Sequence, residues 1–132
     1  MTGERFWCGG RMAGMAVAAV VAASGVVRAD DLDDCANPIA QQEMNRCAER
    51  DYEAADRELN TTYRQVIARQ NAGGRVSLVA AERTWIANRD KTCKDEAAEN
   101  EGGSIYPLVY NGCLTRLTKA RIGWLRLKLT AH

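Results

Sequence analysis

Between Ala40 and Asn71 the apolar and small residues Met44, Ala48, Tyr52, Ala55, Leu59, Thr62, Tyr63, Val66 and Ile67 recur at steps of three and four. A helix completes a turn every ~3.6 residues, so those steps fall on one face. Glu43, Arg46, Glu49, Arg50, Glu53, Arg57 and Arg64 occupy the rest of the circumference. Such a helix is amphipathic and must bury its apolar stripe. Asn71-Ala72-Gly73-Gly74 is expected to stop it, because glycine accepts the left-handed backbone of a helix C-terminus. A second helix is expected from about Arg75 to Glu99, with Leu78, Val79, Ala81, Trp85, Ile86, Cys93 and Ala97 as its apolar positions. Gly102-Gly103 ends that run. Ser104 then caps a third helix, and Pro107 falls in its first turn, where a missing N–H is tolerated. This helix carries Leu108, Val109, Cys113, Leu114, Leu117, Ile122, Trp124, Leu125 and Leu127. Short connections make the helices antiparallel neighbours, so the pattern predicts an all-α, up-down-up three-helix bundle.

The N-terminal pattern is different. Arg5 and Arg11 precede an Ala/Val-rich stretch from Met12 to Val27, followed by Val27-Arg28-Ala29 and then Asp30. This is the layout of a secretory signal peptide, with residues 1–29 removed and residues 30–132 forming one domain. As a helix the stretch would reach only ~24 Å, short of the ~30 Å hydrocarbon core, so an uncleaved anchor is disfavoured. Cleavage also discards Cys8, whose Phe6-Trp7 context does not suit a lipidated cysteine. It leaves 15 basic and 16 acidic side chains, a net charge of −1. A general nucleic-acid binder needs a basic excess and is excluded on that ground.

Four cysteines remain: Cys35, Cys47, Cys93 and Cys113. An even count in an exported chain argues for two disulfides. Cys93 and Cys113 each lie ten residues from Gly103, so they stand level on antiparallel helices. Cys47 and Cys93 would be staggered by ~9 Å, beyond disulfide reach. The expected bridges are therefore Cys93–Cys113 and, by elimination, Cys35–Cys47, the latter folding residues 30–39 back along the first helix. No C-x-x-C pair occurs, and the single histidine, His132, is terminal. Neither a metal site nor a cofactor is expected. Catalysis is not expected either, since there is no nucleophile with a base and no cleft flanked by two carboxylates.

Several stretches are more specific than their periodicity. They are Gln42-Glu43-Met44-Asn45-Arg46-Cys47, Ala55-Asp56-Arg57-Glu58-Leu59-Asn60-Thr61-Thr62-Tyr63, Glu82-Arg83-Thr84-Trp85-Ile86-Ala87-Asn88-Arg89-Asp90-Lys91-Thr92-Cys93, and Gly102 to Leu114 running into Leu117-Thr118 and Arg121. In order and spacing they resemble the N-terminal domain of the lysozyme inhibitor LprI and its small exported relatives. The resemblance implies a helical, non-enzymatic binding protein that occludes a peptidoglycan-cleaving lysozyme. The alternative is a periplasmic interaction or immunity protein with another partner. Unlike the namesake, the chain carries no C-terminal extension and no lipobox, so a periplasmic or secreted form without a stable anchor is expected.

Two regions qualify as recognition surfaces. Gly103, Ser104, Tyr106, Tyr110 and Asn111 lie at a loop-to-helix junction, where open N–H groups and amphipathic rings can meet a protein. Asp95, Glu96, Glu99 and Glu101 close the second helix and, with Asp30, Asp31, Asp33 and Asp34, give one acidic pole that could steer a cationic lysozyme. Asp56, Leu59, Tyr63, Trp85 and Arg89 are read as structural. Trp85, Ile86, Arg89 and Cys93 share an inner stripe, and Arg89 is expected to pair with a carboxylate such as Asp56.

Overall fold

A computed structural model describes residues 35–130. The expected signal segment and the aspartates of residues 30–34 lie outside them. Three α-helices account for most of the described chain: α1 (Gln41–Ala68), α2 (Ala72–Ala97) and α3 (Tyr106–Thr130). A 3-10 turn (Ala98–Asn100) extends α2. No strand occurs among the described residues. Each helix is about 40 Å long at ~1.5 Å per residue.

Local chemistry sets the ends. Glu43 reaches back to accept from the Ile39 and Ala40 N–H groups, both at 3.1 Å, satisfying donors that the first turn leaves open. At the first connection the structure departs from the expected glycine stop. α1 ends at Arg69 in ordinary right-handed geometry. Asn71 instead caps α2, its side-chain oxygen accepting from Gly74 N–H at 2.8 Å. Gly73 and Gly74 therefore open α2 rather than close α1. An Asn followed closely by small residues is as good a start signal as a stop signal, and here the cap bond decides. The left-handed glycine is Gly102, with φ +76°. α3 begins two residues after Ser104, so Ile105, not Ser104, flanks its first turn. Pro107 does sit in that turn.

End-to-end bonds fix how the helices run. Asn45 Nδ2 donates to the Ser104 carbonyl at 2.8 Å, and Arg69 donates to the Leu129 carbonyl at 2.9 Å. Start therefore meets start, and end meets end, along α1 and α3. α2 runs the other way along α3, with Cys93 bonded to Cys113 near one end and Glu82 paired with Arg121 farther along. The main packing partner of both α1 and α2 is α3, and α1 and α2 meet only sparsely. Chain neighbours are thus not the closest packed pair. The reason lies in side chains: α3 presents Leu114, Ile122 and Leu125 inward, whereas the inner stripe of α2 includes Glu82 and Arg89.

The interior has two apolar clusters. Leu59, Val66, Leu78, Ile122 and Leu125 form the larger one, flanked by Tyr63, Ile67, Trp85 and Leu129. Cys93, Cys113 and Leu114 form the other, flanked by Tyr52, Tyr110 and Leu117. Both expected disulfides are present, with Cα–Cα distances of 5.6 Å for Cys35–Cys47 and 5.5 Å for Cys93–Cys113. Four residues expected inside lie outside: Ala81 is exposed, and Ile86, Trp124 and Leu127 are 38%, 39% and 69% exposed.

Candidate functional site

Between the two clusters the helices are joined by polar and aromatic side chains. Arg89 is only 7% exposed. Its Nε and one terminal nitrogen donate to Asp90 Oδ1 at 2.9 and 2.8 Å, and the other nitrogen donates to Thr118 Oγ1 at 3.3 Å. The expected partner Asp56 is present but at 4.0 Å, so it adds charge rather than a hydrogen bond. The dominant carboxylate is Asp90, the next residue along. The guanidinium carbon lies over the Tyr52 and Trp85 rings, 5.5 and 5.2 Å from their centroids. Trp85 also faces Arg121 at 5.4 Å, and Arg121 stacks on Trp124 at 3.9 Å, which Lys128 covers from 4.2 Å. Alternating cations and rings thus run through all three helices, each contact attractive through the negative face of the ring.

A second buried ion pair, not expected from the sequence, joins α2 to α3. Arg121 donates through Nε and a terminal nitrogen to Glu82 Oε2 at 2.9 and 2.8 Å, and both side chains are about nine-tenths buried. Glu82 Oε1 is buried with no hydrogen-bond donor. Spacing could have found this pair, because Glu82 lies three residues before Trp85 and seven before Arg89, on the same stripe. Beside it, where α1 and α2 diverge, a cleft of about 330 Å³ opens. Asp56, Leu59 and Tyr63 line it from α1, and Val79, Glu82 and Ile86 from α2.

At the other expected site, Gly103 and Ser104 are exposed in the turn before α3, and Tyr106, Tyr110 and Asn111 are half-buried in its first turns. Asn45 ties this turn to the start of α1 through the Ser104 carbonyl. Tyr106 and Tyr110 stack with centroids 5.7 Å apart and planes 12° from parallel. Tyr110 also leans on the Cys93–Cys113 cluster. The acidic end of α2 is less bare than its sequence suggests. Asp95 pairs with Lys91 and Glu96 with Arg116, both at 2.6 Å, while Glu99 and Glu101 are exposed. Among the described residues, no group of three or more His, Cys, Asp or Glu could hold a metal ion.

Burial holds the phenols of Tyr52 and Tyr110 above the ordinary value of 10.0, with nearby Asp90 adding to the rise and Arg89 opposing it. The folded state therefore binds these protons more tightly than the unfolded one. Their contribution to stability is complete below pH ~10 and is lost as pH climbs through the raised values. Absorbance at 295 nm should show Tyr52 and Tyr110 ionising later than free tyrosine. Melting temperature should fall over that same alkaline range. Titration of these two phenols at the free value would refute the packing described for their rings.

Both the sequence and the fold have counterparts among known proteins. Residues 33–125 match a family model described as lysozyme inhibitor LprI. The chain belongs to the LprI family. An uncharacterized protein of Rhizobium meliloti (strain 1021) is 39% identical over 106 residues, which is 70% of this chain and 76% of that one. A crystal structure of a DUF1311 family protein from Pseudomonas putida KT2440, the same family, is 31% identical with a TM-score of 0.64. That match covers 69% of this chain and 95% of the other.

Proposed function

We propose that this LprI-family chain is an exported protein that binds a peptidoglycan-cleaving lysozyme and blocks its active site. The observation that carries the reading is the match of residues 33–125 to the lysozyme inhibitor family. Two disulfides support export, because such bonds persist in oxidising compartments and are rare in the cytosol. Cleavage after Ala29 would leave residues 30–132 in the periplasm or medium. No helix among the described residues is long and apolar enough to cross a membrane.

The inhibitor acts by occupancy, not by chemistry. A stapled bundle changes little on docking, so it forfeits little conformational entropy to an interface. The contact face in this reading is the disulfide end. Gly103, Ser104, Tyr106, Tyr110 and Asn111 make the central contact there, and Asp95, Glu96 and Glu99 border it. Tyrosines favour such a role because a large, rigid ring meets the partner while its hydroxyl remains hydrogen-bonded. Oxidised mature protein should slow the clearing of a cell-wall suspension by lysozyme in a dose-dependent way. Undiminished clearing at large molar excess, across several lysozyme types, would remove the proposal.

A further inference from the structure

We infer that the end of the bundle away from the disulfides docks on an anionic phospholipid surface. It is a second contact surface, and it does not depend on the identity of any protein partner. α1 ends, α2 begins and α3 ends there, tied by the bond from Arg69 to the Leu129 carbonyl. Charge is divided unevenly between the two halves of the bundle. Residues 62–86 and 119–130 together hold eight Arg or Lys against one acidic residue, Glu82, a net charge of +7. The rest of the described chain holds seven basic and eleven acidic residues, a net charge of −4.

Most of the positive charge is not neutralised within the protein. Arg121 is paired with Glu82 and Arg126 with Glu58. Arg64, Arg69, Arg75, Arg83, Lys119 and Lys128 have no carboxylate partner among the described residues. Arg69 and Arg75 donate to the backbone carbonyls of Leu129 and Gln70 at 2.9 and 3.1 Å, which holds the side chains without cancelling their charge. Cations gathered in this way attract an anionic surface, and each one close to a bilayer adds about fivefold to the affinity.

Apolar groups at the same end select the kind of anionic surface. Val76, in the second turn of α2, is 72% exposed, and Leu127, in the last turn of α3, is 69% exposed. Trp124, three residues earlier, is also exposed, with Arg121 and Lys128 at 3.9 and 4.2 Å from its ring centroid. An indole bordered by cations suits the headgroup layer, where the ring meets the acyl boundary and the charged head of a long side chain stays wet. Exposed aliphatic side chains gain nothing from a nucleic-acid backbone, whereas a bilayer surface buries them. Bound in this way, the bundle rests on the membrane without spanning it, and the disulfide end is turned to the aqueous phase.

The test is cosedimentation of oxidised residues 30–132 with vesicles of phosphatidylcholine alone and of phosphatidylcholine with about one-third phosphatidylglycerol. Protein should pellet with the anionic vesicles only, and about 1 M salt, where the Debye length falls to ~3 Å, should release most of it. Arg75→Gln with Lys128→Gln should weaken binding about twentyfold. Arg50→Gln with Lys94→Gln, the same loss of charge from exposed positions in the other half, should leave it within about twofold. Val76→Ser with Leu127→Ser, at exposed positions that folding tolerates, should weaken it several-fold with the melting temperature unchanged. No pelleting with anionic vesicles, equal pelleting with both compositions, or equal effects of the two charge variants would overturn the assignment. So would a single-stranded oligonucleotide that binds more tightly than the vesicles, with the serine variant matching the parent on both. Lysozyme inhibition without vesicle binding would leave the family reading intact and remove this one. Vesicle binding without lysozyme inhibition would do the reverse.

Discussion

Replacing Arg121 with methionine should destabilise the bundle by ~3–5 kcal/mol, because it leaves Glu82 as a buried charge without a counter-ion. Both Glu82 oxygens would then lack donors, since Oε1 already has none. The same substitution removes the cation between Trp85 and Trp124. Arg121→Met with Glu82→Leu should recover most of the loss, since an apolar pair can replace a buried ion pair at little cost. Urea unfolding of the two single variants and the double variant measures the coupling. Additive losses would show that the two side chains do not form the unit described.

The second large effect concerns sulfur. Cys93→Ala with Cys113→Ala should lower stability by ~3 kcal/mol, the chain-entropy value for the loop that this bridge closes. Both cysteines are almost fully buried in the smaller apolar cluster, so lost packing adds to lost constraint. Total stability of a domain this size is only ~5–15 kcal/mol, so either variant should melt well below the parent. Cys35–Cys47 closes a shorter loop near the start of α1 and should matter less.

What the sequence revealed depends on how each helix is built. α1 separates apolar from charged side chains cleanly, so Ala48, Ala55, Leu59, Thr62 and Val66 are buried as their spacing implied. α2 hides its inner face, because Glu82 and Arg89 occupy the stripe and apolar residues such as Ile86 lie outside it. Counting apolar positions therefore misplaced Ile86 and overlooked Glu82. α3 is apolar around much of its circumference, so Trp124 and Leu127 could not be told from core positions by hydrophobicity. Disulfide pairing was legible because the helical rise fixes which cysteines stand level. The α1/α2 cleft was not, since it arises from which helices pack closely, and the chain order suggests the wrong pair.

Lysozyme binding can be measured by calorimetric titration of oxidised residues 30–132 into chicken-type, goose-type and invertebrate-type lysozymes, repeated with a chitooligosaccharide filling the enzyme's cleft. An inhibitor that occupies the active site should form a saturable one-to-one complex with at least one of them, weakened when the oligosaccharide is bound. Absence of binding to all three, or a complex indifferent to the oligosaccharide, would contradict active-site occupancy.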